Sequence, residues 1–358
     1  MSKKNRLYVD FHVLQTVPPS CVNRDDTGSP KTAVYGGVRR ARVSSQAWKR
    51  AVRLAFRDMY EPEELSIRTK RIVRMVQEHI AALDPDKNAE TEAVNVLKAA
   101  GLSLNEKDLD KGTEALFFMS EAQASALAHI VVNEPEKLKD KDACRQALKD
   151  NASIDLALFG RMVASDPSLN YDAAAQVAHA ISTHGVQNEF DYFTAVDDRS
   201  PEDNAGAGHL GTVEFNSATL YRYATVNVHE LCDSLGDGTP HAVRSFLEAF
   251  VRSMPTGKQN TFANRTLPDA VYVTVRKDQP INLVGAFEQP VQANGKGGYA
   301  EASCRKLTEY AKKVYDNYAE QPEKAWMTGA EMAGAETLSF PDLLDALEKC
   351  IMDELVKG

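Results

Sequence analysis

Residues 35–57 read Tyr35-Gly36-Gly37-Val38-Arg39-Arg40-Ala41-Arg42-Val43-Ser44-Ser45-Gln46-Ala47-Trp48-Lys49-Arg50-Ala51-Val52-Arg53-Leu54-Ala55-Phe56-Arg57. From Arg39 to Arg53 this stretch carries six Arg or Lys and no acid, in a chain whose formal net charge is -9. Gly36 and Gly37 relax the backbone for a turn. Ser44 or Ser45 then caps a helix by accepting from its first free N–H groups. At ~100° per residue, Trp48, Ala51, Val52 and Ala55 share one side of that helix, and Lys49, Arg50, Arg53 and Arg57 share the other. The first face suits a core; the second suits either water or an anion. The adjoining basic turn, with its Ser, Gln and Gly donors, favours phosphate contact, because such groups together position a nucleic-acid backbone.

The 358 residues are enough for one large domain with insertions or for two domains. Apolar content of 43% and charged content of 26% fit a soluble globular protein. Charge is unevenly spread. Residues 1–79 hold sixteen Lys or Arg against eight acids, and the remainder holds 26 against 43. Such asymmetry makes an anion-binding track, or complementary surfaces that join like subunits head to tail. The five cysteines (Cys21, Cys144, Cys232, Cys304, Cys350) are scattered without CxxC spacing, so no zinc knuckle or disulfide framework is expected. The opening MSKKNR has no leader pattern and no apolar run is long enough to span a membrane, so a cytoplasmic protein is expected.

Along the chain, Leu7, Val9, Phe11 and Val13 alternate with Tyr8, Asp10 and His12, which predicts a half-buried strand. Residues 15–34 are a loop by composition. Its Asn23-Arg24-Asp25-Asp26 reads as a turn with a local ion pair more readily than as a metal site. Ile67–Leu83 and Thr113–Val132 read as helices, with shorter helical pieces between them, and residues 58–150 as a large helical insertion. His79 and His129 belong to core or boundary positions. Ile154, Leu156 and Leu158 alternate as a strand ending at Gly160, where Arg161 is either a phosphate contact or a structural salt bridge. Residues 171–184 fit helix or strand. Gly185–Leu210 is an exposed loop or hairpin. Thr212–Val228 is strongly strand-like, and its Tyr221 and Tyr223 either stack bases or pack. Thr239–Met254 is a helix. The loop after it, Pro255-Thr256-Gly257-Lys258-Gln259-Asn260-Thr261-Phe262, gathers phosphate-nest residues but lacks GxxxxGK[ST], so a nucleotide triphosphatase is disfavoured. A strand at Val271–Val275, a short one at Leu283–Phe287 and helices at 299–318 and 340–356 close the chain. His179 and His184 lack HExxH spacing, so a zinc hydrolase is not supported.

Six stretches in order make the chain resemble the CasC family, the repeated backbone subunit of the type I-E CRISPR surveillance complex Cascade. They are HVLQTVPPSCVNRDD, YGGVRRARVSSQAWKRAVR, DLALFGRM, AHAISTH, DYFTAVDD with HLGTVEFNSATLYRYATVNV, and PTGKQNTFA. The resemblance implies an α+β hand: an RNA-recognition-motif-like (ferredoxin-like) antiparallel palm from residues 1–57 and 151–358, helical fingers at 58–150, and a projecting thumb at about 185–210. It implies a non-catalytic, cofactor-free and metal-free subunit that multimerises along CRISPR RNA and presents the guide to target DNA. The partners implied are further copies of itself, about six per complex, and the other Cascade subunits CasA, CasB, CasD and CasE. Ser44, Ser45, Gln46, Lys49 and Arg53 match the family's backbone-gripping helix start, and Met162 matches an apolar wedge against the RNA, although its sequence context alone suggests core. Further RNA-binding candidates are Arg24, Lys31, Arg39, Arg40, Arg42, Arg161, Lys258 and Gln259. Thumb candidates are Asp198, Gly206, His209 and Leu210. Competing readings are a metal-dependent ribonuclease using Asp25, Asp26, Asp197 or Asp198, and a structural subunit touching protein only.

Overall fold

The computed structural model describes residues 6–105, 108, 112–150, 152–163, 166–195, 199, 209–293, 295 and 297–357. Strand β1 (Tyr8–Ser20) leads to the hairpin of β2 (Thr32–Tyr35) and β3 (Val38–Val43), then to helix α1 (Ser45–Ala55). Next come β4 (Ser66–Thr69), α2 (Ile72–Leu83), α3 (Ala89–Ala99), β5 (Phe117–Ser120), α4 (Glu121–Asn133) and α5 (Lys141–Ala147). The chain continues through α6 (Ile154–Phe159), β6 (Ala175–Val177), β7 (Ala180–Ser182), β8 (Glu189–Ala195), β9 (His209–Asn227), α7 (Val228–Leu235) and α8 (Thr239–Arg252). It ends with α9 (Gln259–Phe262), β10 (Ala270–Arg276), α10 (Ala300–Asn317), β11 (Lys324–Thr328), β12 (Glu336–Thr337) and α11 (Phe340–Lys357).

The main sheet runs β12-β11-β10-β1-β9-β7-β3-β2, with β6 and β8 also pairing to β9. Only β11–β12 is parallel among its described pairings. It is an α+β fold with a mixed sheet. β1 lies between β9 and β10 and is buried on both faces, not on one as its alternation predicts. Val9, Phe11 and Val13 pack with α7, α8 and α11, while Leu14, Tyr221, Tyr223 and Tyr272 pack beneath α10 and a 3-10 turn at Leu283–Phe287. That turn replaces the strand expected there. The buried Tyr221 and Tyr223 therefore take the packing role left open by the sequence.

A separate apolar core joins Ile72, Val76, Leu97, Met119, Leu127 and Leu169, with a two-stranded sheet of β4 and β5 at its edge. Three predictions here need correction. Ile67 belongs to β4, so the helix begins at Ile72. Phe117-Phe118-Met119 is strand, and the helix after it starts at a capping box between Ser120 and Gln123. Ile154–Phe159 is helix, capped by Ser153 accepting from the Leu156 N–H. Its buried residues, Asp155 through Leu158, are consecutive, so the apparent alternation was a short apolar run of no fixed period. His129 is exposed and bonded to Asn133, whereas His79 is half-buried beside Glu121.

Residues 171–184 resolve as the short strands β6 and β7, which share β9 as partner. Helix α1 is seated by Arg222, whose guanidinium lies 3.7 Å from the Trp48 ring centroid and 4.4 Å from that of Phe250. Arg222 also donates to Gln15 Oε1 at 2.6 Å and to the Phe250 carbonyl. Burial pushes its pKa down to about 9.

Candidate nucleic-acid interface

The β2–β3 hairpin turns at Gly36 and Gly37, with φ of +59° and +77°. A Cβ on Gly36 would fall 1.6 Å from the Glu288 carbonyl oxygen, so no other residue fits. β3 runs directly into α1. Ser44 caps it, accepting from the Ala47 N–H, while its own N–H donates to Asn23 Oδ1 at 2.9 Å. This anchors the loop after β1 to the helix start. Helix geometry leaves the Ser45 and Gln46 N–H groups without intrahelical acceptors, and their side chains are half-buried and exposed respectively.

Around this point the fold gathers cations. Arg39 is exposed on β3. Arg42 donates to the Thr32 carbonyl and lies 3.2 Å from His179 Nδ1. Burial, then Arg42 and Lys31, hold the His179 imidazole below its usual pKa, which places Lys31 in the same group. Gly257 presses against the Cys21 and Val22 carbonyls, where a Cβ would approach within 2.1 Å. That packing puts the left-handed Lys258 (φ 50°) and exposed Gln259 beside the loop carrying exposed Arg24. Burial raises the Cys21 thiol, and Arg24 and Lys258 pull it partly back. The Asn23–Asp26 turn is held by Asp25 Oδ1, which accepts from Thr27 and Ser29. The expected Arg24 ion pair is not found among the described residues.

Arg40 and Arg161 do not join the exposed cations, contrary to expectation. Arg40 is fully buried and donates to the carbonyls of Tyr35, Ser182, Phe287 and Glu288. Arg161 donates to those of Leu169, Phe118 and Leu148, and burial pushes its pKa down to about 10. The residue after it is the reverse case: Met162 is 84% exposed.

On the flank of α1, half-buried Lys49 lies over the Phe159 ring and Arg50 is exposed. Arg53 Nε bonds Asp155 Oδ2 at 3.1 Å, and its guanidinium sits 4.2 Å from the Phe118 centroid. Asp155 is buried and also accepts from the Ser66 N–H and the Ser153 hydroxyl. Arg53 is therefore held in place, only partly presented to solvent. Arg68 on β4 lies near the same Phe118 ring and was not singled out from the sequence. Its run Arg68-Thr69-Lys70-Arg71 lies in a segment that reads as helix, where nothing sets Arg68 apart from its basic neighbours.

β8 pairs only with the outer part of β9, and all its residues are exposed, including Phe190 and Tyr192 at 66% and 64%. His209 and Leu210 lie in this ribbon, opposite Ala195 and Thr194. Asp198 and Gly206, like Asp197, fall outside the described residues. Between β3 and the ribbon base is a cleft of about 810 Å³ lined by Val38, Arg39, Val186, Asn188, Phe190 and Glu214. Among the described residues no group of three His, Cys, Asp or Glu is placed to hold a metal ion, and no helix is long and apolar enough to cross a membrane.

Fold and site together define a mixed-sheet α+β protein with a cation-rich face at the start of its first helix and an exposed two-stranded ribbon. Residues 9–357 match the family model described as CT1975-like protein, and the chain belongs to that family. It is also similar to two solved structures. A chain of a "CRISPR RNA-guided surveillance complex, pre-nicking" is 35% identical with a TM-score of 0.81, covering 96% of this chain and 100% of its own. A chain of a "CRISPR RNA-guided surveillance complex" is 32% identical with a TM-score of 0.63, covering 96% and 99%. This chain is homologous to those surveillance-complex proteins. No curated protein matches it.

Proposed function

We propose that this protein is a non-catalytic backbone subunit of a CRISPR surveillance complex of the CasC kind. Copies bind side by side along CRISPR RNA and present the guide for pairing with target DNA in antiviral defence. The observation that carries the reading is the gathering of Arg24, Lys31, Arg42, Lys258 and the free N–H groups of α1 around the loop after β1. These are phosphate-binding groups contributed by three separate segments. On this reading the main sheet is the RNA-recognition-motif-like palm (1–57 and 151–358), residues 58–150 are the fingers, and the ribbon within about 185–210 is the thumb. The exposure of Met162 suits an apolar wedge against RNA. Further copies and the subunits CasA, CasB, CasD and CasE are the expected protein partners, in the cytoplasm.

Backbone contact implies binding that ignores sequence and responds to salt. Guides of unrelated sequence and equal length are expected to compete within about tenfold, or ~1.4 kcal/mol. Lys31→Gln with Lys258→Gln is expected to weaken all of them alike and to lower the log–log salt slope by roughly 0.7 per contact removed. A folded double variant with the wild-type slope would sink the phosphate-contact reading.

A further inference from the structure

The guanidinium that seats α1 has no counter-ion among the described residues. Arg222 stands opposite Val13 across the β1–β9 pair, and Gln15, two residues further along β1, turns its side chain to the same face of the sheet. Gln15 Nε2 donates to Met254 Sδ at 3.1 Å and to the Thr266 carbonyl at 2.9 Å, and the Thr266 N–H donates to the same sulfur. Arg222 is 1% exposed and lies against the rings of Trp48 and Phe250. Its acceptors, Gln15 Oε1 and the Phe250 carbonyl, are both neutral, and burial alone acts on its charge. Four polar groups in this neighbourhood lack hydrogen-bond partners: Arg222 Nε, Trp48 Nε1, Ser253 Oγ and Asn264 Nδ2. Each belongs to a residue more than nine-tenths buried. All four can donate, and all but the hydroxyl can only donate. Trp48 lies one turn before Ala51 on α1, and Phe250 lies three residues before Ser253. Ala51, Ser253, Met254 and Asn264 line one cleft of about 190 Å³. Ala263, held left-handed at φ 47°, precedes Asn264 there. Among the described lining residues Asp58 is the only acid, and it is exposed, as is Arg265.

Cation–π contact attracts a guanidinium without neutralising it, and unpaired donors beside a buried charge add their own desolvation cost. The surplus here is of donors and of positive charge, which selects the ligand. A cation would be repelled, and a water has two lone pairs for four donors. An anion answers both. The donors are shielded from solvent, so the ion must be small and shed its water. A nucleic-acid phosphate, tethered to its chain, does not meet that condition. We infer that the protein holds a site for a monovalent, chloride-sized anion between α1, β9 and the segment after α8, with Arg222 Nε, Trp48 Nε1, Ser253 Oγ and Asn264 Nδ2 as donors. The ion is the counter-charge of Arg222 and so part of the seat of α1. The inference does not depend on the RNA-binding reading.

The test unfolds the full chain, free of RNA, with urea in mixtures of sodium chloride and sodium gluconate at constant ionic strength. An ion that binds only the folded chain stabilises it by mass action, so the midpoint is expected to climb with the chloride fraction, and likewise with bromide. Ser253→Ala with Asn264→Leu is expected to flatten that climb, and Arg222→Met to abolish it. Should the Arg222 variant fail to fold, wild-type crystals grown in bromide decide by anomalous scattering. One bromide is expected within hydrogen-bond reach of Arg222 Nε. A wild-type midpoint indifferent to chloride overturns the inference, and so does a bromide peak at this place with a flat midpoint, an adventitious ion only. A climb of wild-type size in the folded double variant also overturns it, because the ion responsible then lies elsewhere. Adding single-stranded RNA is expected to leave the chloride response in place; its disappearance would assign these donors to an RNA surface and end the separate site.

Discussion

Asp10 and His12 sit two residues apart on the central strand, both buried in a pocket of tyrosines. The Asp10 carboxylate accepts from the Tyr223 hydroxyl and the Ile281 N–H, yet burial outweighs these bonds and raises its pKa to about 6. His12 Nδ1 pairs with the Tyr221 hydroxyl, its Nε2 has no partner, and burial followed by Arg276 lowers its pKa to about 3. The two groups act on stability in opposite senses. Between ~pH 6 and ~pH 4 the folded Asp10 binds a proton that the unfolded chain does not, so its contribution improves on acidification. Below ~pH 6.5 the unfolded imidazole takes a proton that folded His12 refuses until about pH 3, so stability is lost. In the wild type these effects largely offset between ~pH 6 and ~pH 4. His12→Gln is expected to raise the urea midpoint as pH falls from ~6.5 to ~4.5, and Asp10→Asn to make it fall more steeply than in wild type. Parallel profiles for all three proteins would remove both residues from the pH response.

At the scale of elements, α1 is the best case of sequence determining structure. Its cap, its buried Trp48, Ala51 and Val52 and its cationic flank are all in the local pattern. Replacing Ser44 with Ala removes one cap acceptor and is expected to cost about 1 kcal/mol in denaturant unfolding. Ser44→Asp, which restores an acceptor, is expected to recover most of it, and equal stability of all three would remove the cap from the account. The strands β9 and β10 and the helices α8, α10 and α11 were legible for the same reason, since each keeps one period for several turns or pleats. β5 and α6 were not. The three apolar residues of β5 and the five of α6 carry no reliable period, and the capping bonds of Ser120, which starts α4, and Ser153, which starts α6, set where strand and helix fall. Arg40 departs from expectation for a different reason, while Arg161 takes the structural side of its two readings by bonding carbonyls in place of an acid. A basic run suggests exposure, but the carbonyls that bury Arg40 come from Ser182, Phe287 and Glu288, far along the chain. Met162 failed in the other direction, as an apolar residue presented to solvent by a loop whose conformation Arg161 fixes.

For the whole molecule, the uneven charge has a geometric counterpart. The sixteen cations of residues 1–79 include those gathered around α1 and β3, while the rest of the chain carries the acid excess. On the proposed reading, a chain whose basic excess lies in its first segment and whose acid excess lies in the rest is suited to head-to-tail placement along a polyanion. The ribbon of β8 and β9 is the part most free to make that meeting. It pairs only with itself beyond Phe215, and none of the β8 side chains is buried. Removing residues 201–208 is therefore expected to leave the monomer's unfolding transition unchanged, because the apolar cores draw nothing from β8. The same deletion is expected to impair ordered multimers on RNA. Chemical footprinting of assembled complexes reads both properties at once: the wild type should protect guide nucleotides at regular intervals, and the shortened protein should lose or shift that regularity. An identical footprint after deletion would show that the ribbon does not set the spacing. A wild-type complex with uniform protection would remove the repeating-subunit reading, leaving a cationic surface that binds RNA without ordering it.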